Sequence, residues 1–300
     1  MSVIVETKAT AKPFLKWAGG KGQLLPEIEK RLPIEIENGE IDTYVEPFIG
    51  GGAVFFFIAQ RYEQIKNFYL FDINENLVHC YNTIKNDVGS VIKELKKLQK
   101  QFLTLEKTEQ KEYFYQIRTE FNNDRDSAKL IFLNKTCFNG LYRVNKKGEY
   151  NVPFGDYRNP TICDELNLRS VSEVLQNAKI ICGDFEKSDK YIDDNTFVYF
   201  DPPYRPLSPT ASFTSYSKED FNEGEQIRLS DFCRHIDDKG AKFLLSNSDP
   251  KNENPNDNFF EKHYKGFSID TVKASRQINC KASGRGQINE LIITNYVKRG

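Results

Sequence analysis

Strand-like apolar runs recur near Tyr44, Tyr69, Ile180, Val198, Phe243, Ile269 and Ile292, and helical stretches starting near Gly20, Val54, Asn74, Val171 and Glu223 separate most of them. Such alternation leaves a chain few ways to bury its apolar faces, and it predicts an α/β fold with a doubly wound, mostly parallel sheet. Between residues 86 and 169 the alternation lapses. There Val91-Ile92-x-x-Leu95-x-x-Leu98 marks one face of a helix, and Tyr113 to Phe121 and Ala128 to Leu133 continue in helical style. The pattern predicts a mostly helical insert over 86–169, with 1–85 and 170–300 forming the sheet domain. The last two strands, Phe267 to Val272 and Glu290 to Thr294, are joined by a glycine-containing loop without a helix, so an antiparallel hairpin is expected at one sheet edge.

A chain of 300 residues has room for one large domain and such an insert. No apolar stretch approaches the ~18–20 residues of a membrane span, and no secretory signal is read. The cysteines (80, 137, 163, 182, 233 and 280) form no Cys-x-x-Cys pair, and the three histidines join them in no metal cluster. Reduced, buried thiols and no metal are expected. A net charge of −1 is an average. Lys129, Lys135, Arg143, Lys146, Lys147 and Arg158 face only Glu149 and Asp156 in one stretch, and Arg276, Lys281 and Arg285 lie in a second stretch without an acid. A nearly neutral protein can still hold nucleic acid on local basic surface of this kind.

Asp201-Pro202-Pro203-Tyr204 follows the run Phe197-Val198-Tyr199-Phe200. A carboxylate, a proline carbonyl and an aromatic ring therefore share the carboxyl end of a buried strand, the edge at which open α/β sheets bind ligands. The set suits gripping a planar amine on a heteroaromatic ring; an ordinary strand exit would also use Asp and Pro. Upstream, Thr43 to Phe56 reads as strand, glycine turn (Gly50, Gly51, Gly52) and apolar helix, and a second strand ends on Asp72. An acid about 20 residues past the glycines is placed for ribose hydroxyls, or else merely caps the next helix. The turn lacks a Gly-Lys-Ser/Thr triplet and carries Pro47 and Phe48, with Glu46 before it. Glu46 would repel phosphate and attract an ammonium or sulfonium; S-adenosylmethionine has both. Near the amino terminus, Lys16-Trp17-Ala18-Gly19-Gly20-Lys21 holds the single tryptophan, and Lys21 can reach the methionine carboxylate of that cofactor.

These blocks resemble the Dam-type adenine-specific DNA methyltransferases, and the likeness spans nearly the whole chain. Lys-Trp-Ala-Gly-Gly-Lys, Glu-Pro-Phe-x-Gly-Gly-Gly and Asp-Pro-Pro-Tyr stand in the family's order. A fourth block, Phe138 to Arg143 running on to Asn151-Val152-Pro153-Phe154-Gly155, is similar to its DNA-reading segment. The resemblance implies S-adenosylmethionine as cofactor, held by Trp17, Lys21, Glu46, Phe48, Gly50, Gly52, Asp72, Asp184, Phe185 and Asp201. It implies the methyltransferase sheet with its antiparallel ending, and a target-recognition role for the insert. Asp201, Pro202 and Tyr204 would be catalytic, transferring methyl to N-6 of a flipped adenine in duplex DNA (EC 2.1.1.72).

An aromatic amine is a poor nucleophile because its lone pair is delocalised. Hydrogen bonds from its two N–H groups to Asp201 and to the Pro202 carbonyl would draw the nitrogen towards tetrahedral geometry, so positioning and electrostatics would supply the catalysis. Tyr204 would stack on the base, and Arg205 to Lys218 forms either a lid or a plain surface loop. Methylation of cytosine carbon needs a Pro-Cys pair, absent here, and cytosine-amine enzymes usually place Ser before Pro-Pro.

For DNA reading, Arg143 is expected on guanine, Leu141 on a thymine methyl, and Phe138 with Asn139 at the gap left by the flipped base. Lys16 is expected on a second guanine; for both Lys16 and Arg143 a phosphate contact is the alternative. Pro153, Tyr157 and Arg158 would lie at the flanks, where Asp156 departs from the basic residue usual in GATC enzymes. Arg276, Lys281 and Arg285 are expected on phosphate. The site is expected to be GATC or another GAT-containing palindrome. The expected setting is a cytoplasmic, nucleoid-associated monomer of a bacterium or phage, with a cognate restriction endonuclease as a candidate partner and no membrane. Competing readings are a non-catalytic S-adenosylmethionine-binding DNA regulator, or a methyltransferase acting on RNA or a protein amide.

Overall fold

β4 (Thr196–Phe200) is a central strand buried at every position, with β1 (Thr43–Glu46) paired on one side and β5 (Lys242–Ser248) on the other, both in parallel. A strand covered on both faces reads as a continuous apolar run rather than an alternation, as Phe197-Val198-Tyr199-Phe200 does. The remaining strands are β2 (Asn67–Asp72), β3 (Ala178–Cys182), β6 (Ser268–Ser275) and β7 (Gln287–Thr294). The computed structural model describes residues 10–205, 221–275 and 287–297, and within them the strands form one sheet in the order β3-β2-β1-β4-β5-β7-β6. β7 runs antiparallel to both β5 and β6, so the expected hairpin closes one edge. All seven strand positions read from the sequence carry a strand.

The chain divides into two compact units. One comprises Met1–Gly20, Gly50–Arg61 and Asn74–Ile180; the other comprises Lys21–Ile49, Tyr62–Ile73 and Ile181–Gly300. Helices in chain order are α1 (Leu25–Glu29), α2 (Ile34–Glu37), α3 (Ala53–Arg61), α4 (Glu75–Thr104), α5 (Lys107–Asp124), α6 (Ser127–Thr136), α7 (Glu165–Leu175), α8 (Glu223–Asp238) and α9 (Phe259–His263).

The first unit is helical. α4 presents Leu77, Tyr81, Ile84, Ile92, Leu95, Leu98 and Phe102 to its interior, which is the spacing read from the sequence. It is not one straight helix. Asp87 leaves helical geometry (φ −149°, ψ 62°), and its carboxylate accepts from the Ser90 N–H at 3.1 Å, capping the second half. α4 packs on α6 and α7, and α5 packs on α6. Phe102 and Phe132 meet edge to face at 5.4 Å within that core.

In the second unit, Val45, Phe71, Val198, Phe200, Phe243, Leu245 and Ile293 project from the sheet onto Leu229, Phe232, Cys233 and Ile236 of α8 and onto Phe259 and Phe260 of α9. Phe243 is fully buried, 6.2 Å from Phe200 and 5.0 Å from Phe267 between ring centroids. Truncation there leaves a cavity that the surrounding rings cannot fill. Phe243→Ala should therefore cost about 3–5 kcal/mol, measured by the shift in urea-unfolding midpoint monitored through far-UV circular dichroism.

Candidate functional site

From β1 the chain winds outward through β2 to β3, then returns to β4 on the opposite side of β1. The reversal makes the carboxyl ends of β1 and β4 a topological switch point, where open α/β sheets bind their ligands. Glu46 closes β1 there, and Asp201 follows β4.

Lys21 sits on this edge with its Nζ 2.6 Å from Asp201 Oδ1, and only 4% of its side chain is exposed. Ser246 of β5 donates to the same oxygen at 3.4 Å and hydrogen-bonds the Tyr199 phenol at 3.0 Å. Asp201 keeps 20% of its side-chain surface open, yet protein crowds it closely enough that desolvation governs its ionisation. Burial pushes its carboxyl above the usual aspartate range; Lys21 pulls it back and Glu290 adds to the upward push.

The Lys21 ammonium also lies 4.7 Å from the centroid of the Tyr204 ring. One cation is thus held between the Asp201 carboxylate and an aromatic ring. The Tyr204 phenol donates to Glu290 Oε2 at 2.7 Å. Buried amides brace the backbone of the turn. Gln226 Nε2 donates to the Pro203 carbonyl at 2.8 Å, Asn247 Oδ1 accepts from the Arg205 N–H at 3.3 Å, and Asn247 Nδ2 donates to Gln226 Oε1 at 3.2 Å. Pro202 is buried. Arg205 pairs with Glu223 and Asp257, each at 2.7 Å. The rest of the expected lid, after Arg205, lies outside the described residues.

The buried Glu46 carboxylate accepts from the Tyr44 phenol at 2.7 Å. Tyr44 and Tyr199 are pushed well above the ordinary phenol value, by burial first and then by Glu46 and Asp201. Carboxylates of Glu46, Asp201 and Glu290 accordingly share one electrostatic neighbourhood with Lys21. Such a surplus repels phosphate and favours a cation.

Asp72 ends β2, and its carbonyl accepts from the Gly183 N–H at 3.0 Å. It is not the cap of α4: Asn74 is, accepting from the Leu77 N–H at 3.1 Å. Asp184 follows β3, as read from the sequence, but its carboxylate is gripped by Arg228 at 2.9 and 2.7 Å, which holds it below the usual range. The Arg228 guanidinium lies 4.2 Å from the Phe185 ring centroid. Phe185 in turn packs with Phe48 at 5.7 Å and Phe221 at 6.3 Å.

Trp17, Gly50 and Gly52 belong to the helical unit. Trp17 stacks on Tyr142 at 5.4 Å with 28° between planes. Gly50 adopts φ +45°, and a Cβ on it would lie 2.9 Å from Trp17 Cδ1, so both backbone and space demand glycine.

In the same unit, Asn134 clamps the Lys16 backbone at N–H and C=O, 2.8 Å each, and donates to the Gly140 carbonyl at 3.0 Å. Lys16 Nζ stands 4.5 Å from the Tyr157 ring centroid. Asn139 turns through φ 55°, next to Phe138, a large apolar side chain left 51% exposed. Leu141 is half-buried, while Arg143, Pro153 and Arg158 are exposed. Arg143 Nε donates to Asn151 Oδ1 at 2.7 Å, and the Phe138 N–H donates to the Pro153 carbonyl at 2.9 Å. Asp156, the unexpected acid, pairs with Lys107 at 2.6 Å on the surface. Arg276, Lys281 and Arg285 lie outside the described residues.

Sequence reading missed Glu290, Ser246, Gln226, Asn247 and Arg228. One signal was available: Ser246-Asn247-Ser248-Asp249 directly follows an apolar strand run and is buried throughout. Among the described residues no His, Cys, Asp or Glu group could hold a metal ion, and no helix is long and apolar enough to cross a membrane.

A family model of D12 class N6 adenine-specific DNA methyltransferases matches residues 17–278. The type II methyltransferase M.MjaIII of Methanocaldococcus jannaschii is 55% identical over 293 residues, covering 95% of this chain and 99% of that protein. Type II methyltransferase M1.LlaDCHI of Lactococcus lactis subsp. cremoris is 40% identical over 309 residues, covering 99% of each. A DNA adenine methylase of Vibrio cholerae is 35% identical over 286 residues, covering 94% of this chain and 95% of that protein. With the family model spanning both the amino-terminal block and the Asp-Pro-Pro-Tyr turn, this chain belongs to the D12 class of N6 adenine-specific DNA methyltransferases.

Proposed function

We propose that Asp201 and the Pro202 carbonyl take the two N–H bonds of an adenine amine flipped out of duplex DNA, while the Tyr204 ring packs on the base. The observation that carries this reading is the cradle around Lys21: a carboxylate at 2.6 Å and an aromatic ring at 4.7 Å already hold one nitrogen cation. A methylated amine becomes a nitrogen cation as it forms. Both Lys21 and Ser246 meet Oδ1, which leaves Oδ2 of Asp201 for the amine. Lys21 favours the ionised carboxylate, against the push of burial. The buried amides Gln226 and Asn247 hold the turn, so little reorganisation is needed when charge develops. Flipping costs a few kcal/mol of unstacking, which the base pocket must offset.

S-adenosylmethionine, when bound, supplies an electrophilic methyl on sulfur. The residues fit that cation: buried Glu46 and a surplus of carboxylate stand at the switch point, Asp72 ends β2 for hydroxyls, and Phe48, Phe185 and Phe221 offer apolar ring surface. Asp184 would act through its backbone or through Arg228 rather than by a free carboxylate. Trp17, Lys21, Gly50 and Gly52 complete the proposed cofactor set. Residues 1–85 and 170–300 are assigned to cofactor binding and catalysis, and 86–169 to target recognition.

The target is assigned as GATC or another GAT-containing palindrome, corresponding to EC 2.1.1.72. Arg143 and Lys16 would read guanine, Leu141 the thymine methyl, and exposed Phe138 with Asn139 would fill the vacated stack. Pro153, Tyr157 and Arg158 are placed at the flanks, and Arg276, Lys281 and Arg285 on phosphate. The type II names among the relatives favour a cognate restriction endonuclease acting on the same site.

Tritiated-methyl transfer to duplex DNA tests the assignment. Asp201→Ala should lower transfer at least about 10²–10³-fold with duplex affinity little changed; full activity would overturn the mechanism. Arg143→Ala should erode discrimination at its guanine by about 1–3 kcal/mol, read from kcat/KM on singly substituted sites. The acid limb of kcat should lie above ~3.9, the ordinary aspartate value. Because Lys21 favours the charged carboxylate, Lys21→Gln should move that limb to higher pH, and a pH–rate profile of the variant checks the sign.

A further inference from the structure

β7 is the strand that breaks the parallel order, and its reversed sense has a chemical consequence. The parallel strands deliver their last residues to the binding edge, whereas an antiparallel neighbour delivers its first. Glu290 lies early in β7 and sits in register with Ser248, the last residue of β5. It therefore reaches the edge occupied by Asp201 and Tyr204 from a segment almost ninety residues further along the chain. Its Oε2 accepts the Tyr204 phenol at 2.7 Å, a separation of |i−j| = 86.

We propose that Glu290 is a positioning residue for methyl transfer: it anchors the Tyr204 ring by its phenol and sets a second negative charge beside the amine pocket. The inference rests on the reading that Asp201 and Tyr204 receive the adenine amine.

A stacking platform needs only a ring, so the phenol must be explained separately. Burial, then Asp201 and Glu290, raise the Tyr204 phenol far above its ordinary value. It stays protonated throughout the working pH range, and the bond has one direction, with Tyr204 donating and Glu290 accepting. That bond anchors the far end of the side chain, which a surface phenol solvated by water would leave loose. Its result is the observed pose, in which the ring lies beside the nitrogen held by Asp201.

Charge gives Glu290 its second role. Asp201 is surrounded by Lys21, by Glu290 on β7, by the Tyr44 and Tyr199 phenols of β1 and β4 together with Glu46, by the Tyr204 phenol and by the Ser246 hydroxyl. Lys21 is the counter-ion of Asp201 within this set, and Glu290 is the acid that raises the Asp201 carboxyl. As the amine is alkylated, positive charge grows on a nitrogen that faces both carboxylates. Glu290 thereby opposes ionisation of Asp201 in the free site and favours the cation that replaces the neutral amine.

The test uses the full-length protein with Glu290→Gln, Glu290→Ala, Tyr204→Phe and the Tyr204→Phe/Glu290→Ala double variant. Duplexes carry adenine or fluorescent 2-aminopurine at the target. Glu290→Gln keeps an acceptor of the same shape and guards against misfolding. It should lower kcat on the order of 10- to 10²-fold, leave KM for duplex nearly unchanged and move the acid limb of kcat to lower pH, opposite to Lys21→Gln. Glu290→Ala should also raise 2-aminopurine fluorescence, because a base no longer pinned by the ring is less quenched. Tyr204→Phe/Glu290→Ala should be no slower than Glu290→Ala alone, since each change breaks the same phenol–carboxylate bond. Wild-type kcat and an unmoved acid limb in both Glu290 variants would overturn the proposal, as would losses that multiply in the double variant. Asp201→Ala run beside them separates the two readings: if it alone loses transfer, only the Glu290 inference falls, and if it retains transfer, the amine-gripping mechanism falls as well.

Discussion

The pair between Lys21 and Asp201 constrains most of what surrounds it. A carboxylate pulled out of water costs several kcal/mol unless it is paired and hydrogen-bonded. Here one lysine and one serine answer that cost at a single oxygen. Glu46 and Glu290 stand in the same neighbourhood, so the pocket as folded is short of positive charge. A site in that condition is poised for a ligand that brings a cation or develops one, and poorly suited to a nucleotide phosphate. The absence of a phosphate-loop lysine after Gly50-Gly51-Gly52 and the buried acid at Glu46 therefore express one electrostatic choice.

Topology makes that concentration of acids affordable. Glu46 and Asp201 close neighbouring parallel strands on either side of the reversal in strand order, and Glu290 arrives on the one antiparallel strand that pairs with β5. Glu290 is held in register between β5 and β6, Glu46 ends β1 in register with Leu70 of β2, and Asp201 is the first residue past β4. The carboxylates are thus fixed at or next to strand ends, which limits how far they can move apart to relieve their mutual repulsion. Buried Gln226 and Asn247 extend the same principle to the turn, fixing Pro203 and Arg205 by side-chain amides where the strand ladder has ended.

How much of this was legible follows from the range over which sequence patterns act. Strands such as Phe197-Val198-Tyr199-Phe200 and the helix face of Val91, Ile92, Leu95 and Leu98 declare themselves because periodicity is local. The blocks Lys16 to Lys21 and Asp201 to Tyr204 stand out as motifs because each spans only a few positions. Glu290 does not: an acid between Asn289 and Leu291 looks like the solvent side of an edge strand, and only the pairing of β7 with β5 turns it to the site. Arg228 was missed for the same reason, since its partner Asp184 lies 44 residues away. Lys21 also meets Asp201, a residue 180 positions away that no local pattern points to.

Net charge near zero takes on a different meaning in this light. Several acids of the sheet unit are paired within it: Asp201 with Lys21, Asp184 with Arg228, and Glu223 and Asp257 with Arg205. In the helical unit, Lys16, Arg143 and Arg158 are exposed, and the acid that interrupts them, Asp156, is answered by Lys107. An exposed pair of that kind is worth at most ~1 kcal/mol, so its effect is chiefly to cancel a local negative charge. Formal counts weigh a buried carboxylate and a surface lysine equally, whereas a phosphate backbone approaching from solvent responds mainly to the second. Near neutrality of the whole chain is therefore compatible with a basic face.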